Sequence, residues 1–235
     1  MFSKMISNYF KAAFCSVLVL CGCATAESIS SSYSAEKNYS DSWWQVVPES
    51  ELKSWEIPPQ AANRSQNEVI LSKRTELGIF SNLSDSVFTM DNVQYSSLEG
   101  LWQGMKYPEN ANDERLKDPT VKWLYTREQV YKMSGFESKK AGDIANENMK
   151  KLGIKWITYR GQKIDYNSSD EGRKKHYEII LQASREKVLQ NPAIHKLLIQ
   201  TKGLQFFPDH KQQINPAPAY KYHEIYMKVR YEISP

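Results

Sequence analysis

The sequence predicts an α+β fold: a single, mostly helical domain with a small sheet built from an N-terminal hairpin and a C-terminal strand. Short β-rich segments lie on either side of Asp91-Asn92, which is typical of a hairpin. Apolar residues recur at helical spacing through most of the chain that follows. Apolar and polar residues then alternate over 224–231, as in a half-buried strand. Strands at both ends with helices between them indicate one α+β domain.

Residues 1–22 are predicted to be a lipoprotein signal peptide. A basic start is followed by an apolar run, 12–20, that is too short to span a membrane. Leu20-Cys-Gly-Cys23 resembles a bacterial lipobox, in which the cysteine becomes the acylated first residue. Ala24 then favours a lipid-anchored protein of the bacterial cell envelope, in the outer membrane and facing the periplasm. An ordinary signal peptide with chance cysteines is the alternative.

Composition excludes several classes of site. All three cysteines lie in the first 23 residues, so the processed chain has no internal disulfide, thiolate metal site or cysteine nucleophile. Removing the two lysines of the signal lowers the formal net charge from +4 to +2, and no long run of one sign remains, so we expect no nucleic-acid-binding surface. The four histidines are not at ligand spacing, and we expect neither a metal nor a cofactor.

Residues 23–66 are predicted to form a lipid-anchored tether and a Trp-rich strap, ahead of a domain over 67–233. The chain is rich in serine, asparagine, proline and glutamine over 24–67, and 24–42 resembles a flexible linker. Trp43, Trp44 and Trp55 interrupt that composition. Because an indole side chain buries a large apolar area, we expect this strap to lie against the domain.

The stretch 95–108 is the most informative helix of the chain. Ser96 and Glu99 have the spacing of a capping box, which predicts that a helix begins there. One side of that helix carries Leu98, Leu101, Trp102 and Met105. Another side carries a carboxylate, an amide and an ammonium group, on Glu99, Gln103 and Lys106. The simpler interpretation is that Glu99 caps the helix and the polar row is solvated.

The remaining elements are predicted from periodicity and turn residues. A strand is expected at 69–71 and an extended segment at 156–159. Helices are expected over 120–133, 136–152 and 171–189, and from Pro192 to near Gly203. The final strand is expected to bury Ile225, Met227, Val229 and Tyr231.

Several motifs, in order along residues 68–231, resemble the NADAR (YbiA-like) family. They are the strand and turn of 68–74 and Ile79-Phe-Ser-Asn82, the hairpin 88–95, and the helix Ser97-Leu-Glu99 with Trp102-Gln-Gly-Met-Lys106. Lys187 to Thr201 and Ile225 to Arg230 complete the series. The resemblance implies a single YbiA-like domain.

The resemblance also implies N-glycosidase activity. Members of the family hydrolyse the C–N bond between a ribose and a base or amine, in riboflavin-pathway intermediates or in ADP-ribosyl groups on guanine. Breaking such a bond builds oxocarbenium character on the sugar, which a buried carboxylate can stabilise while it orients or deprotonates water. The expected partner is a small ribosyl or nucleotide substrate.

Site residues follow from the matched motifs. Glu99 stands at the position of the family's helix glutamate and is the expected catalytic carboxylate. Gln103 and Lys106 are expected to line the same wall, with Lys106 or Arg74 meeting a substrate phosphate. Asn82 and Trp102 belong to the matched turn and helix and are expected to bind substrate.

The chain departs from the family pattern at two places. Gly100 stands where the family usually has histidine, which predicts more room beside Glu99. The later Glu…Asp…Trp-Gly segment is replaced by Phe207-Pro-Asp-His210. Asp209 is then the candidate second catalytic carboxylate and His210 an added acid–base group, although Pro-Asp-His also fits a simple turn. Trp156 is either a stacking surface for the base or sugar or a core residue.

Two other functions remain open. The pocket can hold ADP-ribose or a nucleotide without cleaving it, which would make the chain a binding lipoprotein. Alternatively, the chain is a structural envelope lipoprotein whose role depends on the lipid rather than on Glu99 or Asp209.

Overall fold

The structure, a computed structural model, describes residues 39–234. Within this range six α-helices and six short strands form, so the prediction of a mostly helical α+β domain is confirmed. The strands are β1 (Glu68–Ile70), β2 (Phe88–Met90), β3 (Val93–Tyr95), β4 (Ile157–Tyr159), β5 (Gln162–Ile164) and β6 (Gln205–Phe207). The helices are α1 (Leu98–Gly104), α2 (Arg127–Tyr131), α3 (Gly135–Lys151), α4 (Asp170–Gln190), α5 (Pro192–Gln200) and α6 (Tyr222–Ile233).

The strands form three separate pairs. β1 runs parallel to β6, while β2 with β3 and β4 with β5 are antiparallel hairpins. The first hairpin turns at Asp91 and Asn92 as predicted, and both residues have positive φ, at 52° and 64°. A two-residue hairpin turn of this kind needs positive φ at both central positions, which asparagine and aspartate tolerate best among residues with a side chain.

Helix α4 is the central element of the core. It packs against α1, α5, α6 and β2. Its buried apolar side chains recur at helical spacing, at Ile179, Ile180, Ala183 and Val188. Such a stripe gives the other helices one continuous apolar surface to cover, which is the usual reason for a helix of this length in a domain core.

The C-terminal strand prediction is wrong, because this segment is helix α6. Its buried residues are Tyr222, Ile225, Tyr226 and Val229, a spacing of three, four and seven residues. Tyr231, which the strand would have buried, is 85% exposed. The alternating pattern also contained a helical stripe, and packing against α4 and β6 selects the helix. The partner of β1 is instead β6, which the sequence pattern did not reveal.

The helix predicted over 120–133 is shorter than expected. Only α2, from Arg127 to Tyr131, is α-helical. Thr126 and Gln129 form a complete capping box, which fixes the start of the helix there. Leu124 precedes that start and is exposed.

The Trp-rich segment packs onto the rest of the described chain. Trp43 is buried in the core and donates from Nε1 to Glu76 Oε1 at 2.5 Å. Trp44 donates from Nε1 to the carbonyl of Glu68 at 2.7 Å. Trp55 is 46% exposed. The indole N–H groups of the first two tryptophans are therefore satisfied by the start of the domain.

The lipobox and Cys23 lie outside the described residues. Between residues 39 and 234, no helix is both long and apolar enough to cross a bilayer.

Candidate active site

An open cavity of about 1020 Å³ lies among segments that are far apart in the chain. This volume is at the upper end of the range for small-molecule sites. Four of the residues singled out from the sequence line it: Asn82, Glu99, Trp102 and His210. Side chains that the sequence did not predict as site residues also line it, among them Trp55, Lys73, Phe136, Lys139, Asn146, His176, Lys211, Tyr220 and Tyr222.

Helix α1 brings Glu99 to the cavity, but its cap differs from the predicted one. The N-cap is Ser97 rather than Ser96, and its Oγ accepts from the N–H of Gly100 at 2.8 Å. The N–H of Glu99 donates to the carbonyl of Asn82 at 2.9 Å. Because Ser97 caps the helix, the half-buried carboxylate of Glu99 is not needed for capping and lines the cavity.

Gly100 does not enlarge the cavity, contrary to the sequence prediction. A Cβ at this position would lie 2.7 Å from the carbonyl oxygen of Met133 and 2.9 Å from that of Val130. The space beside Gly100 is therefore occupied by the backbone at and after the end of α2. A larger residue here would push α1 away from that backbone.

Gln103 and Lys106 support Glu99 from the protein side instead of lining the cavity. Gln103 is buried and donates from Nε2 to Glu99 Oε1 at 2.7 Å. Lys106 is only 4% exposed, and its Nζ lies 4.7 Å from the centre of the Trp102 ring. Burial lowers the pKa of Lys106 to about 8, partly opposed by the nearby charge of Glu99. The helix phase predicted from the sequence groups these residues correctly, but places Gln103 and Lys106 too close to solvent.

Aromatic rings from α1, α4 and the segment before α6 form one wall of the cavity. The His176 ring stacks on Trp102 with 4.3 Å between centroids. Tyr220 meets both rings edge-on, at 5.5 Å and 6.0 Å. Burial, with a further contribution from Lys106, lowers the pKa of His176 to about 3, so this imidazole is neutral at physiological pH. Because His176 and Lys106 cover the Trp102 ring, the exposed ring of Tyr220 is the surface of this wall on which a planar ring can stack.

Asp209 lies behind the cavity surface in a cluster of three donors. One oxygen, Oδ1, accepts from His210 Nδ1 at 2.8 Å and from the Tyr222 hydroxyl at 2.9 Å. The other, Oδ2, accepts from Lys73 Nζ. Burial alone would raise the pKa of Asp209, but these hydrogen bonds outweigh it and lower the pKa to about 2. Asp209 is therefore a buried, paired carboxylate, and its three partners line the cavity.

The Trp-rich strap holds the Asp209 segment in place. The N–H of Ile57 donates to the carbonyl of Asp209 at 2.9 Å, and the N–H of Lys211 donates to the carbonyl of Trp55 at 3.0 Å. Between them, Glu56 and His210 form an isolated antiparallel β-bridge. These bonds fix the backbone on both sides of His210, so the strap is part of the cavity wall.

Asn82 presents an unpaired acceptor beside Glu99. Its Oδ1 is buried, and no donor within residues 39–234 reaches it. A buried amide oxygen without a partner loses free energy on the order of 1–3 kcal/mol. A ligand hydroxyl or amine in the cavity would satisfy it, which is consistent with the predicted role of Asn82 in substrate binding.

Two predicted site residues are held elsewhere. Arg74 donates from Nε to Glu56 Oε1 at 2.5 Å and is not part of the cavity lining, so it is occupied by an ion pair rather than directed at a substrate phosphate. Trp156 carries the cations of Lys163 and Arg115 over its ring, at 3.9 Å and 4.8 Å. Trp156 is also absent from the cavity lining, and its ring is held by Lys163 and Arg115 instead.

Lysines at the cavity replace the positive charge expected from Arg74. Lys73 pairs with Asp209, and Lys139 bonds to the exposed carboxylate of Asp143 at 3.2 Å. Lys211 donates to the carbonyl of Ser54 at 3.2 Å. All three line the cavity, and a lysine ammonium is a mobile point charge that can also meet an anionic ligand. Within residues 39–234 no three His, Cys, Asp or Glu side chains converge as a metal site would require.

Comparison with known proteins gives one structural likeness. No family model and no curated protein matches the chain. Among solved structures, the chain is similar to the NMR structure of the E. coli protein YbiA, with 15% sequence identity and a TM-score of 0.45. The similarity covers 72% of this chain and 86% of that chain.

Proposed function

We propose that this chain is an N-glycosidase that hydrolyses the ribosyl C–N bond of a nucleotide-like or ADP-ribosyl substrate. The observation that carries the proposal is the carboxylate of Glu99, which lines the cavity, is not used to cap its helix and is oriented by Gln103. Cleavage of a ribosyl C–N bond passes through an oxocarbenium-like state. An oriented anion beside the sugar stabilises that charge and can accept a proton from the attacking water.

The cavity supports a substrate with both a planar ring and anionic groups. The exposed ring of Tyr220 provides a stacking surface, and Asn82 Oδ1 provides an acceptor for a sugar hydroxyl. Lys139 and Lys211 provide positive charge near solvent. A base, a ribose and a phosphate or pyrophosphate match these three features together.

The proposal is tested by incubating the full-length chain with a panel of ribosyl compounds. The panel contains mononucleotides, ribosylamine phosphates and ADP-ribosylated guanosine, and mass spectrometry detects the released base or amine. Release from at least one compound by the parent chain is the expected result. Binding of several compounds without release from any would contradict the enzymatic proposal.

The alternative is a protein that binds ADP-ribose or a nucleotide without cleaving it. One observation favours it: Asp209, the candidate second carboxylate, is buried and fully paired, which leaves Glu99 as the one carboxylate side chain among the cavity-lining residues between 39 and 234. In that case the parent chain shows no turnover. Glu99→Gln would then change the affinity for ADP-ribose by no more than about tenfold.

We also propose a lipid anchor at Cys23 that holds the protein in the bacterial outer membrane, facing the periplasm. The proposal rests on the sequence of the lipobox and on Ala24. Cys23→Ser is expected to release the protein from the membrane fraction, because no acyl chain can then be attached. A Cys23→Ser protein that sediments with the membranes like the parent would contradict it. A purely structural lipoprotein would instead keep its envelope phenotype when Glu99 or Asp209 is substituted.

A further inference from the structure

The buried carboxylate of Asp209 leaves its neighbour, His210, as the group that meets the cavity. Asp209 is 2% exposed, and each of its oxygens already accepts a hydrogen bond. The His210 side chain is 39% exposed and lines the cavity. A substrate in the cavity can therefore contact the imidazole but not the carboxylate.

The hydrogen bonds around Asp209 also decide which nitrogen of His210 carries a proton. Asp209 is ionised, because three donors surround it, and an ionised carboxylate only accepts. Nδ1 of His210, which lies 2.8 Å from Oδ1, must therefore be the donor. Nε2 has no partner within the described residues and is the nitrogen available to a ligand.

The orientation of the imidazole is fixed on several sides. Its ring lies parallel to that of Tyr222, at an interplanar angle of 1° and a centroid distance of 5.9 Å. Its backbone forms a β-bridge with Glu56 of the strap. On either side of this bridge, the N–H of Ile57 donates to the carbonyl of Asp209 and the N–H of Lys211 donates to the carbonyl of Trp55. A side chain held in this way loses little conformational entropy when a substrate arrives, as a group that transfers a proton requires.

We propose that His210 is the second catalytic residue, the acid that protonates the leaving nitrogen, and that Asp209 is a positioning residue. This inference rests on the proposed N-glycosidase function. The C–N bond breaks, its electron pair stays on the leaving nitrogen, and that nitrogen takes the Nε2 proton of His210 in its imidazolium form, which leaves the neutral Nδ1–H imidazole. Water adds to the sugar carbon and gives its proton to Glu99. A proton returns from Glu99 to His210 through solvent, which completes the cycle.

The charges that face His210 support this role. Asp209 accepts from Nδ1 and fixes the orientation of the imidazole, as the buried carboxylate does in a hydrolase triad. The positive charge of Lys73 is paired with the same carboxylate and so is largely compensated. Tyr222 is neutral, because burial and Asp209 raise the pKa of its hydroxyl well above the usual range. Lys211, the next residue in the chain after His210, also lines the cavity, and burial lowers the pKa of the neighbouring His223 imidazole.

The test compares two substrates with the same ribosyl portion. In the first substrate, the leaving nitrogen must gain a proton when the C–N bond breaks. The second substrate is a ribosyl pyridinium, from which the base leaves as neutral pyridine without gaining a proton. His210→Asn can keep the hydrogen bond to Asp209 but has no group in place of Nε2. His210→Asn is expected to slow the first reaction by roughly 10²–10⁴-fold and the second by less than about fivefold. His195→Asn, a histidine outside the cavity, is the matched control and is expected to match the parent on both.

Each result decides between the two proposals. Equal losses on the two substrates, or no loss on the first, would overturn the role of His210 while leaving the N-glycosidase function intact. Absence of release by the parent chain from every ribosyl compound would overturn both. If the parent does not cleave the ribosyl pyridinium, the pH dependence of kcat/KM on the first substrate provides the test. A fall of kcat/KM at high pH in the parent is expected to be absent in His210→Asn. A fall that persists in His210→Asn would overturn the role of His210 as the acid.

The positioning role of Asp209 has a spectroscopic test that does not depend on activity. In ¹H–¹⁵N NMR spectra of the imidazoles, neutral His210 is expected to be protonated at Nδ1 in the parent chain. Asp209→Asn is expected to shift the population towards the Nε2–H form, because the amide of asparagine can itself donate to Nδ1. An Nε2–H form in the parent, or an unchanged spectrum in Asp209→Asn, would contradict the assignment.

Discussion

Glu99 and Asp209 are carboxylates at one cavity, yet their surroundings give them different properties. Glu99 is half-buried and accepts one side-chain hydrogen bond, from Gln103. Asp209 is buried and accepts from His210, Tyr222 and Lys73. Its environment therefore stabilises the ionised form strongly, which suits a group that orients a neighbour rather than one that exchanges protons.

The lowered pKa of Asp209 predicts a pH-dependent stability. The folded pKa of about 2 lies below the unfolded value, so the stabilising contribution is present above about pH 4 and is lost as the pH falls towards 2. The contribution is on the order of 2 kcal/mol. Chemical denaturation at pH 4 and pH 2 should show a smaller loss for Asp209→Asn than for the parent. Equal losses would show that Asp209 is not preferentially ionised in the folded state.

Several of the site residues predicted from the sequence line the cavity because each belongs to a local pattern. Glu99 and Trp102 are placed by the phase of α1, and His210 by its position next to Asp209. Lys73 and Tyr222 were missed, because nothing local distinguishes them from other surface or core residues. The pairing of Lys73 with Asp209 joins positions 136 residues apart, and only the folded chain brings them together.

Helix α1 meets the backbone at the end of α2 through a residue without a side chain. Gly100 lies against the carbonyl oxygens of Val130 and Met133, and Ser97 Oγ donates to the latter at 2.8 Å. This close approach sets the position of Glu99 relative to the cavity. The glycine that looked like extra room in the sequence is therefore a packing requirement of α1.

Gly100→Ala is expected to destabilise the fold by about 1–3 kcal/mol, because its Cβ would overlap two backbone oxygens that cannot rotate away. Alanine has the higher helix propensity by about 1 kcal/mol, so steric overlap must exceed that gain. Chemical denaturation measures the change, with Glu147→Ala on an exposed face of α3 as control. A variant as stable as the parent or more stable would contradict the close packing.

Elements were predictable where one local rule dominated. The hairpin at Asp91-Asn92 and the long helices α3 and α4 agree with their sequence patterns within one or two residues. Helix α6 was mistaken for a strand because its residues satisfy both periods, and only its contacts with α4 and β6 decide between them. Strand β6 is three residues long and carries no pattern that could be recognised in advance.

At the scale of the whole molecule, the cavity is built from segments spread over most of the described chain. The strap contributes Trp55, α1 contributes Glu99, α4 contributes His176, and the segment before α6 contributes His210 and Tyr220. No pattern within one segment could predict that arrangement. The strap also supplies the hydrogen bonds that fix the Asp209 segment, so the region before the domain takes part in the site.

The most direct test of the account is the activity of Glu99→Gln on the ribosyl compound that the parent cleaves. Glutamine keeps the shape of the side chain and an acceptor for Gln103, but removes the charge that stabilises the oxocarbenium-like state. We expect turnover to fall by roughly 10²–10³-fold, with a Tm within about 2 °C of the parent. Glu147→Gln, exposed on α3, is the matched control and should leave both unchanged. Turnover at the parent rate in Glu99→Gln would contradict the central role of this carboxylate.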